Sequence, residues 1–210
     1  MEYYPALDVN RFICHIGPMS LLKIAKMGNP VLHQIAKRVD DPSSPEIKAI
    51  VSDMLETLED SEGIGLAAPQ VHIPKRVVVF FVPESGVSMS EDDEVKEELT
   101  IMVNPEIEPL TDEKELDWEA CLSVPNMMGC VPRHIKIRYS WIDLSGLRQE
   151  RVAAGFHARA VQHECDHLDG ILYPMRMHDF RLFGYSDEVK RNQKLIKAGE
   201  AARIDGKGES

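Results

Sequence analysis

The sequence predicts an α+β fold: antiparallel or mixed β-sheets packed around one central helix, with a further helix at the C-terminus. Three observations lead there. Strand-like segments gather in the middle of the chain and do not alternate regularly with helices, which disfavours a doubly wound parallel sheet. Residues 135–153 read as a hairpin, and 156–168 read as a helix directly after it. The length of 210 residues suits one domain with a full-sized core, and no internal repeat or interdomain linker is visible. The expected organisation is an N-terminal extension over 1–20, a single catalytic domain over 21–204 and a flexible tail over 205–210.

Residues 1–20 show no clear periodicity. Within 23–39, Gly28-Asn29-Pro30 signals a turn and is followed by the apolar pair Val31-Leu32. A helix is predicted from Ser43 to about Asp60. Ser43 and Glu46 have capping-box spacing, Pro45 suits a first turn, and Ile47, Ile50, Val51, Met54 and Leu58 form one apolar stripe. The stretch Gly63-Ile64-Gly65-Leu66-Ala67-Ala68-Pro69-Gln70 lets another strand or a ligand come very close to the backbone. Its spacing fits a tight structural turn and a substrate-lining loop equally. It lacks the Gly-Lys-Ser/Thr ending of a phosphate loop.

Arg76 to Val82 is β-branched and aromatic, as a buried strand would be. Pro83 to Glu98 is acidic and polar and reads as an exposed loop. Short strands follow at 99–105 and 106–110. Ile135, Ile137, Tyr139 and Trp141 alternate with polar residues, then Asp143-Leu144-Ser145-Gly146 turns the chain into a strand from Leu147 to Ala153. The helix Phe156 to Leu168 is stopped by Asp169-Gly170. The last helix runs from Ser186 to about Arg203, with Asp187 and Glu188 suited to its positive N-terminal end.

Composition narrows the function classes. With 43% hydrophobic and 28% charged residues the chain is an ordinary soluble globular protein, and no apolar run is long enough to cross a bilayer. Met1 to Ser20 carries Glu2 and Asp8 and a single basic residue, Arg11, unlike a signal or transit peptide, so a cytoplasmic location is expected. The four cysteines are too few for a disulfide framework and are expected as thiols, one of them a candidate metal ligand. A net charge of −11 argues against non-specific binding of DNA or other nucleic acid. Residues 176–210 are mildly basic, with eight Lys/Arg against six Asp/Glu. That segment suits either a transient ribosome contact or a solvated helix face.

The chemistry centres on Gln162-His163-Glu164-Cys165-Asp166-His167. A helix turns about 100° per residue, so His163 and His167 share one face and can grip one divalent metal. Glu164 beside them can handle the proton of a bound water, and metal-assisted hydrolysis follows from that arrangement. A catalytic site of this kind needs a third protein ligand and an open position. Cys165 lies about 200° round the helix from His163 and points away. Cys121, in Glu119-Ala120-Cys121-Leu122-Ser123, fits either a third ligand or a small buried hydrophobe.

Three stretches, in order, resemble the signature motifs of the peptide deformylases. Gly63 to Gln70 is similar to the family's Gly-x-Gly-x-Ala-Ala-x-Gln, Glu119 to Ser123 to Glu-Gly-Cys-Leu-Ser, and Gln162 to His167 to Gln-His-Glu-x-Asp-His. Lys23-Ile24 and Gly28 to Leu32 also resemble the family's opening, so the resemblance covers roughly 21–175. One position departs: Ala120 stands where the family has glycine.

The resemblance implies removal of the N-formyl group from the N-terminal formyl-methionine of nascent polypeptides, with release of formate. It implies Cys121, His163 and His167 as metal ligands, a metal-bound water attacking the formyl carbon, and Glu164 as general base and then acid. The Gln70 amide and the Leu122 backbone N–H are implied as oxyanion donors. The backbone at Gly65 would pair with the peptide like an added strand. Ile64, Phe156 and Ala160 are either walls of an apolar methionine pocket or core, and Glu119 with Arg133 is either a supporting ion pair, as the resemblance implies, or two exposed charges without contact. The implied native metal is Fe²⁺, with Zn²⁺, Ni²⁺ or Co²⁺ able to replace it. Two competing readings are a zinc peptidase with a different third ligand, and a non-catalytic relative whose site Ala120 spoils. Against the second, every residue assigned direct chemistry is present.

Overall fold

The computed structural model describes residues 21–61, 63–83 and 97–192. The predicted N-terminal extension, segment 84–96 of the acidic loop and the tail lie outside them. The elements in order are α1 (Pro45–Asp60), β1 (Gly65–Ala67), β2 (Val77–Pro83), β3 (Glu97–Pro109), β4 (Lys114–Cys121) and β5 (Val124–His134). After them come β6 (Lys136–Ile142), β7 (Arg148–Ala154), α2 (Gly155–Leu168) and β8 (Phe183–Tyr185), with helical backbone over 186–192. The strands form two antiparallel sheets, ordered β1-β2-β3-β6-β7 and β4-β5-β8, so the α+β expectation holds.

The apolar run of β2 is buried on both faces. Strand residues alternate sides, so Val78 and Phe80 join Ala158, Val161, Cys165 and Leu168 of α2, while Val77, Val79 and Phe81 join Ile47, Val51, Met54, Leu55 and Leu58 of α1. The five-stranded sheet therefore has a helix on each side of β2. The cap of α1 differs from the sequence expectation by one residue. Ser44 accepts from the Ile47 N–H at 3.4 Å, while the Ser43 hydroxyl donates to Asp41 Oδ1 at 2.7 Å. Pro45 lacks an N–H and has a preset φ, so it belongs at the first helical position and the cap falls on the residue before it.

The two short strands expected over 99–110 are one strand, β3, with a register shift between Val103 and Glu106. Asn104 takes a left-handed φ of 53° there and exchanges two hydrogen bonds, 2.9 and 2.8 Å, with the backbone of Val39. The hairpin β6–β7 and helix α2 match expectation closely. α2 ends at Leu168 and is capped by Asp169, with Gly170 at φ 73°, and a Cβ on Gly170 would lie 2.7 Å from the carbonyl carbon of His33, so only glycine closes the helix here. Of β4 and β5, the sequence predicts only a strand or turn over Glu119 to Pro125. The two strands cover the second face of α2, which carries Arg159, Gln162 and Asp166 rather than apolar residues.

Candidate metal centre

Helix α2 presents His163 and His167 one turn apart, with ring centroids 5.1 Å from each other. The third donor comes from the other sheet. β4 ends at Cys121, where Leu122-Ser123 makes a two-residue turn into β5, and the turn brings Cys121 Sγ to 3.3 Å from His167 Nε2. One donor atom from each of Cys121, His163 and His167 lies within 4.8 Å of the others. A thiolate and two imidazoles in this spacing suit one divalent transition metal. Burial by itself would raise the Cys121 thiol, but His167 and His163 beside it hold it well below its ordinary value, so the thiolate is available as a ligand.

Glu119 orients His163. Burial alone would raise its carboxyl, yet Arg133 and His163 hold it far below the usual range. It is therefore an ionised acceptor, and His163 Nδ1, 2.8 Å from Oε2, must be the donor, which leaves His163 Nε2 free to bind metal. Arg133 meets Glu119 with two hydrogen bonds, 2.8 and 2.9 Å, so the ion pair the resemblance implied is present and buried. The pair belongs to a larger network. Arg159 also reaches Glu119 at 2.9 Å, Arg133 reaches Asp166 at 2.6 Å, and Arg176 closes on Asp166 at 2.7 and 3.1 Å.

Glu164 lies beside the donors. Burial raises its carboxyl above the ordinary range, against the opposing pull of His163 and His167. Its Oε2 is buried and has no hydrogen-bond partner. A buried carboxylate oxygen without a partner, on the residue next to the candidate ligand His163, fits a bound water. Gln70 follows β1 in a short 3-10 turn and is buried. Its Oε1 accepts from the Ala67 N–H at 2.8 Å, so the amide NH₂ must face Cys121 Sγ, at 3.5 Å, and Ser123 Oγ, at 3.2 Å. A Cβ on Gly65 would overlap the Glu164 carboxylate, which explains the glycine.

The sequence profile described as polypeptide deformylase matches residues 21–182. The chain is 46% identical over 172 residues to peptide deformylase 1 of Nitrosomonas europaea, covering 82% of this chain and 96% of that one. Peptide deformylase 1 of Bordetella pertussis is 48% identical over 166 residues, covering 78% and 92%. The chain belongs to the peptide deformylase family. Among solved structures, the Ehrlichia chaffeensis peptide deformylase superposes with a TM-score of 0.68 at 32% identity, over 89% of this chain and 99% of that one. A Met-Ala-Ser-bound class I type b peptide deformylase from Acinetobacter baumannii superposes with a TM-score of 0.67 at 36% identity, over 76% and 100%. The protein is thus a metal-dependent hydrolase that removes the N-formyl group from nascent polypeptides, and the zinc-peptidase reading falls away.

Ala120, the position where the chain departs from the deformylase motif, is exposed, pairs with Met128 across β4–β5 and does not adopt a positive φ. Alanine fits there without strain. Leu122 is half-buried in the β4–β5 turn, against the position of Gly63. Of the candidate pocket residues, Ile64 is half-buried, Phe156 is exposed and Ala160 is packed in the core beside α2 and the five-stranded sheet. Cys165 faces that same core, away from the donors, and burial pushes its thiol well up. Sequence reasoning missed Arg159, Asp166 and Arg176. Arg159, Gln162, His163 and Asp166 stand at helical i, i+3, i+4, i+7 spacing, and that shared stripe was the available signal.

Proposed function

We propose that Cys121, His163 and His167 hold the metal and that Glu164 moves the protons of deformylation. The observation that carries this reading is the convergence of the three donors within 4.8 Å beside an unpartnered oxygen of Glu164. When bound, the metal supplies Lewis acidity that makes hydroxide available near neutral pH. Glu164 takes the proton of the attacking water and returns it to the amine nitrogen as the formyl C–N bond breaks. The Gln70 NH₂, its direction set by Ala67, donates to the oxyanion of the tetrahedral intermediate, together with the backbone N–H of Leu122. The backbone at Gly65 runs beside the formyl-methionyl peptide, and Ile64 and Phe156 border the methionine side chain.

Fe²⁺ is the native ion that the family resemblance implies, and one thiolate with two imidazoles equally accepts Zn²⁺, Ni²⁺ or Co²⁺. The catalytic unit is residues 21–204, and the basic C-terminal segment makes a transient ribosome contact in the cytoplasm. Metal content measured on Cys121→Ser and Cys165→Ser tests the ligand set. Cys121→Ser is expected to lose bound metal, while Cys165→Ser keeps one ion per chain. Full metal content in Cys121→Ser would contradict the assignment.

A further inference from the structure

We propose that Arg159 is a positioning residue that fastens the strand carrying Glu119 and Cys121 to the helix carrying His163 and His167. The inference rests on the ligand set above. Arg159 is 6% exposed, an unusual depth for arginine. Its Nη1 donates to Glu119 Oε1 at 2.9 Å, to the Val131 carbonyl at 2.8 Å and more distantly to the Asp117 carbonyl at 3.4 Å. Its Nη2 donates to the Glu115 carbonyl at 2.8 Å. Asp117 and Val131 are register partners, so one guanidinium grips both β4 and β5 from a position one helical turn before His163.

The bonds to Glu119 give this grip a consequence at the ligands. An ionised carboxylate offers about four acceptor sites, and all four are used. Oε1 receives Arg133 Nε at 2.8 Å and Arg159 at 2.9 Å, while Oε2 receives Arg133 Nη2 at 2.9 Å and His163 Nδ1 at 2.8 Å. Without Arg159, Glu119 is left to Arg133 and His163, and the carboxylate that fixes the His163 ring loses one restraint. Cys121 lies two residues further along the same strand, and its sulfur must stay close to His167 Nε2. Lysine cannot reproduce the grip, because an ammonium lacks the planar fork that reaches a carboxylate and two strands at once.

The test compares Co²⁺ binding by the full-length wild type, Arg159→Lys, Arg159→Leu and Val51→Ala. Val51 is a buried residue of α1, in the core on the opposite side of β2 from α2, so its truncation controls for loss of stability alone. The Arg159→Leu chain is expected to bind Co²⁺ about 10- to 100-fold more weakly, with Arg159→Lys between it and wild type. The thiolate-to-Co²⁺ absorption band is expected to change in both Arg159 variants. Val51→Ala should lower Tm and leave affinity and spectrum unchanged. Arg159 variants that hold Co²⁺ within about twofold of wild type would overturn the proposal, as would equal weakening in Val51→Ala at the same loss of Tm. Where Arg159→Leu does not fold, Arg159→Lys decides, and an unfolded Arg159→Lys would make the residue structural and the proposal wrong. A wild type that binds no Co²⁺ would instead sink the ligand assignment itself.

Discussion

Alanine at position 120 sits on the exposed side of β4, and its backbone lies outside the left-handed region. A glycine there would add backbone freedom without relieving any contact. Ala120→Gly is therefore expected to lower stability by about 0.5–1 kcal/mol and to leave kcat/KM within about twofold of wild type. A tenfold or larger gain in kcat/KM would mean that alanine strains the site after all. The donors were readable at this scale because helical spacing alone puts His163 and His167 on one face with Glu164 between them. Cys121 was not readable from spacing, since the two histidines it joins are more than forty positions away, as the 46-residue separation from His167 illustrates. Arg159 and Asp166 were hidden for a different reason. Charged residues on a helix usually face water, and only the unseen partners on β4 and β5 make their burial possible.

The elements divide along similar lines. The β6–β7 hairpin and α2 were legible because apolar periodicity and turn residues agree. β4 was not, because its phase is inverted. Leu116 and Ala120 face solvent while Glu119 is buried, so the polar residue points to the core. β5 carries Pro125 and Pro132, which argue against a strand. The pairing with β8 covers only Met127 to Gly129, so both prolines lie where one flank of β5 is open. The turn between β6 and β7 makes its own prediction. Asp143 is held at a pKa of about 2, below its ordinary 3.8, by the Ser145 hydroxyl, the Leu147 and Ser145 N–H groups and Gln149. A depressed carboxyl lends stability above its unfolded pKa and loses it on acidification. The Asp143 contribution should thus be complete above about pH 4 and vanish as the pH falls through 2. An NMR titration of this carboxyl should show a midpoint of about 2, and a midpoint of 3.8 would mean that the turn contacts do not persist in solution.

At the scale of the molecule, the site exists only where three parts meet. The three-stranded sheet brings Cys121 and Glu119, α2 brings both histidines and Glu164, and the edge of the five-stranded sheet brings Gly65, with Gln70 in the turn after it. The sheet order β1-β2-β3-β6-β7 was not legible, because it depends on pairings between segments far apart in sequence, and β1 is only three residues long. The α+β class was legible, because it needs only the clustering of strands. On the proposed function, this junction deformylates peptides with Glu164 as its proton carrier. The most direct measurement is formate release from a short formyl-methionyl peptide, using Fe²⁺-loaded protein kept free of oxygen, beside Glu164→Ala loaded in the same way. Rapid release is expected from the wild type and a loss of about 100- to 10,000-fold in the variant, with one metal bound per chain in both. Undiminished release by Glu164→Ala at full metal content would contradict the proposed function.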